Sequence, residues 1–154
     1  MGETIDTDQP EIVEGKVLEV PFDKELLTFQ ECEPVRITQR LLAKKLWKDP
    51  KGNLLVDFGQ NITGLVEVKI KGEKGQKIRI RHAEVLDKDG VFYPDTLRTA
   101  ISHDTYILNG EEQVLMPHFT FMVSGILPLM GLKIRNQKCS QPAQCILIWQ
   151  NREF

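Results

Sequence analysis

Short runs in which apolar and polar residues alternate dominate the chain from Pro34 onward. Pro34–Thr38 alternates, and Leu41–Trp47 fits either one helical turn or a strand. Asp49-Pro50-Lys51-Gly52-Asn53 reads as a turn, because Pro presets φ and Gly supplies φ > 0. Asn53–Phe58 is a predicted strand, followed by a bend at Gly59-Gln60-Asn61. In Thr63–Lys71, Val66, Val68 and Ile70 alternate with Glu67, Lys69 and Lys71. In Gln76–Ala83, Ile78 and Ile80 point inward while Lys77, Arg79 and Arg81 point outward. Gly72–Gly75 between these two runs predicts an antiparallel hairpin, with Lys69 and Lys71 beside Arg79 and Arg81 as a basic stripe. Asp87–Gly90 is a further turn, and Asn109–Glu112 predicts a hairpin between Asp104–Asn109 and Gln113–Met116. Strands at this spacing with Gly and Asp turns predict an all-β fold, an antiparallel β-sandwich. Residues 1–27, acidic and carrying Pro10 and Pro21, read as an N-terminal tether ahead of it.

The 154 residues suit one domain, two at most. A net charge of −2 argues against a partner built of phosphates, so no nucleic acid is expected. No apolar run approaches the ~20 residues of a membrane span, and the acidic start lacks the basic-then-apolar pattern of a secretion signal. Those features predict no membrane association and a cytoplasmic location. The averages hide a break in composition. Residues 1–121 hold 16 basic against 21 acidic residues; residues 122–154 hold four basic residues and one acid, Glu153. Two of the three cysteines, Cys139 and Cys145, lie in that last stretch, and none has zinc-ligand spacing. Free thiols in a reducing compartment are the expectation.

Chemistry-bearing residues are scattered. Asp87, Asp89 and Gly90 start like a calcium loop, but 91–98 lacks the ligands that must follow, which leaves a β-turn. Glu84, Asp87, Asp89 and Asp95 crowd carboxylates into one inter-strand loop, the pattern of a solvated surface. His82, His103 and His118 are too far apart in sequence to form a paired metal motif. Phosphate-binding and nucleophile-elbow motifs are absent. Period, spacing and charge therefore yield an antiparallel β domain with no assembled active site, and no metal or cofactor is expected.

Six motifs carry a resemblance. They are Asp57-Phe58-Gly59-Gln60-Asn61-Ile62-Thr63-Gly64; Gly72 with Gly75; Arg81-His82-Ala83-Glu84-Val85-Leu86 with Asp89-Gly90; Leu97-Arg98-Thr99-Ala100; Asp104-Thr105-Tyr106; and Pro117-His118-Phe119-Thr120-Phe121. In this order and spacing, residues 28–121 resemble the concanavalin-like β-sandwich (jelly-roll) domain of bacterial α-L-rhamnosidases. The resemblance implies a multidomain glycoside hydrolase that releases terminal L-rhamnose with inversion. Its acidic catalytic residues belong to an (α/α)-barrel domain, flanked by neighbouring β domains. None of that barrel is present, so no catalytic residue transfers to this chain. The implied partners are the barrel, the neighbouring β domains and rhamnosides. The alternative is an autonomous carbohydrate-binding module, for which Phe92, Tyr93 and Tyr106 are the sugar-facing candidates, with Trp47 on an ambiguous segment. A small glycosidase acting through Glu84 or Asp95 is the third reading.

The resemblance stops at Phe121, after which the family continues His/Tyr-Gly-Phe-Arg-Tyr. Joining the third base of each codon to the first two of the next forces Gly at Met122–Val123 and again at Met130–Gly131. The same reading allows Tyr or His at Phe121–Met122, and then Phe, Arg and Tyr in turn. Residues 122–154 therefore read as an out-of-frame tail, leaving the sandwich incomplete at its C-terminus.

Overall fold

The computed structural model describes residues 2–9, 15–31 and 36–131. The fold is all-β and sandwich-like, as the alternation predicts. Among the described residues eight strands form it: β1 (Thr4–Asp6), β2 (Lys45–Lys48), β3 (Leu54–Gly64), β4 (Val68–Lys71), β5 (Lys77–Arg81), β6 (His103–Ile107), β7 (Glu112–Leu115) and β8 (Met122–Met130). Six pair in the order β1-β6-β5-β8-β3-β2, and β4 pairs with β7 as a second, two-stranded sheet. All pairs are antiparallel except β1 with β6.

Directly opposed residues share a face, so register shows what the large sheet buries. Ile78 lies opposite Tyr106, Ile80 opposite both Asp104 and Leu129, and Val56 opposite Leu127. These apolar side chains join Phe58, Ile62, Val66, Val68, Leu108 and Leu115 in one buried core, which draws on both sheets. Ile5 packs against the same core from β1. On β5, Ile78 and Ile80 are buried while Lys77 and Arg79 are exposed, the inward–outward alternation read from the sequence.

Pairing departs from expectation at two turns. Gly72–Gly75 does not close a hairpin: β4 pairs with β7, and β5 with β6. Asn109–Glu112 likewise carries the chain from one sheet to the other. In a sandwich, consecutive strands can sit on opposite layers, and a two-residue period cannot distinguish a crossing from a hairpin. The basic stripe dissolves with the hairpin, since Lys69 instead meets Glu112 on β7 at 2.6 Å.

Local turn chemistry holds. At the Asp49–Asn53 turn, Asp49 accepts from the Asn53 N–H at 2.8 Å and from its side-chain amide at 2.9 Å. Burial raises the Asp49 pKa, but these bonds outweigh it and hold the carboxyl below its ordinary value. The bend at Gly59–Asn61 is a break in register within β3, between Asp57 and Ile62. Gly59 sits there at φ 75°, with its N–H on the Asp57 carboxylate. Leu41–Trp47 resolves into β2 from Lys45, with Lys45 Nζ 4.9 Å from the Trp47 ring centroid. The predicted strand at Pro34–Thr38 is not formed over its described part, Arg36–Thr38, which is exposed coil.

Met122–Met130 is a strand, placed between β5 and β3. Its burial does not alternate: Ser124, Gly125, Leu127, Pro128 and Leu129 are all buried. Its register with β5 puts Ile80 opposite Leu129, and an isolated bridge puts Ala83 opposite Ile126. In that register Arg81 falls opposite Pro128, where the ladder lapses, because proline has no N–H to donate. Cys139, Cys145 and the apolar run Cys145–Trp149 lie outside the described residues.

Candidate functional site: a buried acid–imidazole cluster and the loop beside it

Where β5 ends, the chain turns inward. The His82 N–H donates to the Ser102 carbonyl at 3.0 Å, and the Ala83 N–H to Ile126 at 3.1 Å. The His82 imidazole is thereby enclosed, 2% exposed, with Nε2 3.7 Å from Oδ2 of Asp104. That separation exceeds hydrogen-bond reach, and neither ring nitrogen has a hydrogen-bond partner among the described residues. Asp104 sits on the inner face of β6. Its Oδ1 accepts from the Glu3 N–H at 3.0 Å and from the Thr120 hydroxyl at 2.8 Å. Burial alone would push its pKa up; the His82 ring, the Glu3 N–H and the Thr120 hydroxyl prevail and hold it below the ordinary carboxylate value.

Two residues along β6, Tyr106 is 1% exposed and its hydroxyl has no hydrogen-bond partner among the described residues. Burial pushes that phenol well above its ordinary pKa, helped by the nearby charges of Asp104 and Glu3. Glu3 closes the cluster from outside. Its carboxylate accepts from the His118 N–H at 2.7 Å and the Phe119 N–H at 3.3 Å. The Glu3 carbonyl accepts from the Thr105 N–H at 2.8 Å.

Ser124, His82 and Asp104 are the residue types of a hydrolase triad, and all are buried. The geometry does not make one. The Ser124 hydroxyl is directed at the carbonyls of Ala83 (3.4 Å) and Ile126 (3.2 Å). No substrate reaches a histidine and an aspartate that are each 2% exposed. What the cluster can do is brace: it ties the start of β1, the end of β5 and the 117–121 turn to β6.

The loop from Glu84 to Ile101 holds the remaining sequence candidates. Asp87 Oδ1 accepts from the Asp89 and Val91 N–H groups at 2.9 and 2.8 Å, the predicted plain turn. Among the described residues no group of three His, Cys, Asp or Glu side chains could hold a metal ion. Phe92 is half-buried, with the Arg81 guanidinium 4.5 Å from its ring centroid; Tyr93 beside it is 38% exposed. Tyr106 departs from the sugar-facing expectation: its ring lies in the core, opposite Ile78, because the inward positions of β6 fall on even numbers. The aromatic candidates therefore do not converge. The histidines do not converge either. His103 lies on the outer face opposite Arg81, its pKa lowered first by burial and then by Arg79 and Arg81. His118 is exposed beside Glu3, with Nδ1 3.5 Å from its carboxylate. Arg98 adopts φ 52° just after a 3-10 turn over Asp95–Leu97.

Sequence reasoning missed Glu3 and Thr120. Glu3 fell within a segment read as tether, and the one local signal is the isolated apolar Ile5 in Gly2–Asp6, which β1 half-buries against the core.

A family profile described as the bacterial alpha-L-rhamnosidase concanavalin-like domain matches residues 47–125. An alpha-L-rhamnosidase of Streptomyces avermitilis is 41% identical over 110 residues, which is 71% of this chain and 10% of the relative. The crystal structure of a Streptomyces avermitilis alpha-L-rhamnosidase complexed with L-rhamnose is similar at a TM-score of 0.66 and 34% identity, covering 75% of this chain and 11% of that one. Native alpha-L-rhamnosidase from Aspergillus terreus gives a TM-score of 0.71 at 29% identity, over 85% of this chain and 15% of that one. The chain thus spans about a tenth of the length of the curated relatives it matches.

Proposed function

Because the chain belongs to the bacterial alpha-L-rhamnosidase concanavalin-like domain family, we propose that it is a non-catalytic β-sandwich portion of such an enzyme, with a scaffolding role. The observation that carries this reading is coverage: the family's domain accounts for half of this chain, while the chain accounts for about a tenth of its relatives. The sealed His82–Asp104 cluster supports it, since the most chemistry-rich group in the fold braces strands and has no opening to substrate. In the parent enzyme the domain packs against the (α/α)-barrel that performs hydrolysis and against neighbouring β domains, and its exposed loop 84–101 forms part of their contact or of the rim of the sugar site. Phe92 and Tyr93 are the side chains assigned to any sugar contact. The test is release of aryl aglycone from an α-L-rhamnoside by the purified chain. No release above buffer is expected; turnover that disappears in Glu84→Gln or Asp95→Asn would overturn the reading. A saturable change in fluorescence on titration with L-rhamnose would favour an autonomous binding module instead.

We further propose that residues 122–154 are translated out of frame relative to the parent gene. Two features of β8 support this. Its burial lacks the two-residue alternation that its neighbour β5 and β6 beyond it follow, and Pro128 occupies an interior position of a strand flanked on both sides. An apolar segment of the right length fills the slot by composition. Resequencing across the codons for Phe121 and Met122 decides it: a second frame opening into His/Tyr-Gly-Phe-Arg is expected, and a clean trace without one would refute it.

A further inference from the structure

Asparagine is followed by glycine once in the sequence, at Asn109-Gly110, where the chain crosses from β6 to β7. Both residues are half-buried, so water reaches them. The Asn109 side chain is folded back along its own main chain, with Oδ1 accepting from the Glu111 N–H at 2.9 Å. To reach a nitrogen two residues on, the carboxamide must lie alongside the Asn109–Gly110 peptide bond. That places its Cγ beside the Gly110 nitrogen. No hydrogen bond engages this nitrogen among the described residues. Gly110, at φ 100°, also has no Cβ to crowd an approach to it. A carbonyl carbon, a free main-chain nitrogen and a fixed N–H donor on the carbonyl oxygen therefore meet in one turn.

We propose that Asn109 is a self-modification site, at which the side chain closes on the Gly110 nitrogen and then opens to aspartate or isoaspartate. The Gly110 nitrogen attacks Cγ; the N–Cγ bond forms and the Gly110 proton passes to water. Holding the two groups in one turn makes the step intramolecular. Negative charge in the tetrahedral adduct develops on Oδ1, which already faces the Glu111 N–H at 2.9 Å. That is the distance at which a fixed main-chain donor stabilises an oxyanion. The Cγ–Nδ2 bond then breaks, and Nδ2 takes a proton from water and leaves as ammonia. A five-membered succinimide remains. Water adds to one of its two carbonyls and reopens the ring, with no oxidant or reductant involved. One opening gives aspartate; the other gives isoaspartate, whose main chain is longer by one carbon. The extra carbon falls between two fixed points. Leu108 is held by the Gly75 N–H at 2.7 Å and by the Gln76 carbonyl at 3.0 Å, and Glu112 is paired with Lys71. The crossing between the two sheets is thus where the lengthening lands.

The purified 154-residue chain and a synthetic peptide spanning Thr105–Leu115 are incubated side by side near neutral pH at body temperature. Peptide mapping by mass spectrometry follows the conversion of amide to carboxyl at Asn109. The folded chain is expected to react roughly tenfold faster than the peptide, less than the hundredfold or more that one oxyanion donor gives in an enzyme, because this donor is open to water. A folded rate at or below that of the peptide would overturn the proposal. Asn53 and Asn61, followed by Leu54 and Ile62 of β3, should keep their amides over the same time; equal loss at either would overturn the claim that the turn is special. Isoaspartate is expected among the products, detected by enzymatic methylation of its free carboxyl. Aspartate alone would mean direct hydrolysis by water and would refute the ring. Glu111→Pro removes the N–H that faces Oδ1 and should bring the rate down to the peptide's. Glu111→Ala keeps that N–H and should keep the fast rate. A slow Glu111→Ala would assign the rate to the Glu111 carboxylate and sink the role given to the main-chain donor. Should the proline variant fail to fold, the alanine variant and the comparison with the peptide still decide.

Discussion

Replacing Asp104 should cost this fold more than any other single polar change. Its carboxylate accepts from the Glu3 N–H and the Thr120 hydroxyl and faces an imidazole 3.7 Å away, all inside the protein. A hydrogen bond to a charged group is worth about 1.5–3 kcal/mol net, and a donor left buried without an acceptor loses about 1–3 kcal/mol of solvation. Asp104→Ala strands two donors and leaves His82 without a counter-group. The expected loss is about 3–6 kcal/mol, two such charge-assisted bonds taken together. Set against a total stability of roughly 5–15 kcal/mol, that is severe. Asp104→Asn keeps an oxygen for both donors and forfeits the charge, so it should lose only about 1–2 kcal/mol. Urea unfolding followed by tryptophan fluorescence and far-UV circular dichroism measures both. In the Asp104→Ala background, Thr120→Val should add almost nothing, because the bond it removes is already gone. An alanine variant within about 1 kcal/mol of the parent would refute the brace, since no satisfied hydrogen-bond hub of this burial is that cheap to remove.

Further outcomes follow from the same geometry. Stability should fall as the pH drops below about 4, the carboxylate's ordinary range, because the Asp104 pKa is lower folded than unfolded. Its contribution is complete above the unfolded value and lost as pH passes down through the folded one; acid titration of the unfolding midpoint shows it, and Asp104→Asn should flatten the slope. Leu127→Ala, at a fully buried position on β8, should destabilise by about 2–4 kcal/mol in urea melts if that strand is packed as described. Pro128→Val should stabilise by about 1 kcal/mol, by returning a ladder donor opposite Arg81, with the gain read as a higher melting midpoint. Gly131→Ala should destabilise, since Gly131 has φ 89° and an added Cβ would run into the Lys77 carbonyl; thermal melts register the loss.

The fold was legible in the sequence to the extent that one strand reports on itself. Ile78 and Ile80 facing inward on β5, the Asp49–Asn53 turn and the bend near Gly59 follow from period two and from turn chemistry, which are local properties. Pairing partners were not legible in this way. The Gly72–Gly75 turn looks the same whether the chain folds back on one sheet or crosses to the other, and the choice is made by residues 40 positions away on β7. The cluster was hidden for a related reason. His82 was weighed only as one of three scattered histidines and Asp104 only as part of a motif, and their role depends on Glu3, 101 positions from Asp104. A buried charge is stabilised by whatever donors the topology delivers, and here these are the backbone N–H of Glu3, just ahead of β1, and a hydroxyl from the 117–121 turn.

This contrast bears on β8. A strand slot between β5 and β3 asks little of a sequence beyond length and apolar content, so almost any run such as Ile126–Met130 can enter it. What the slot cannot supply is agreement across levels: alternation, a donor at each ladder position, and an outer face suited to its neighbours. β5 meets these demands, with Lys77, Arg79 and Arg81 outward and isoleucines inward. In β8, Pro128 leaves a ladder position without its N–H, and Leu127, Pro128 and Leu129 are buried in succession. The strand thus lacks one ladder bond while Leu127 and Leu129 are buried in the core. Cavity-forming changes such as Leu127→Ala should therefore hurt it more than the ladder gain from Pro128→Val helps it. The reverse ranking would mean that β8 is a designed strand of this sheet, and the out-of-frame reading would then lose its structural support.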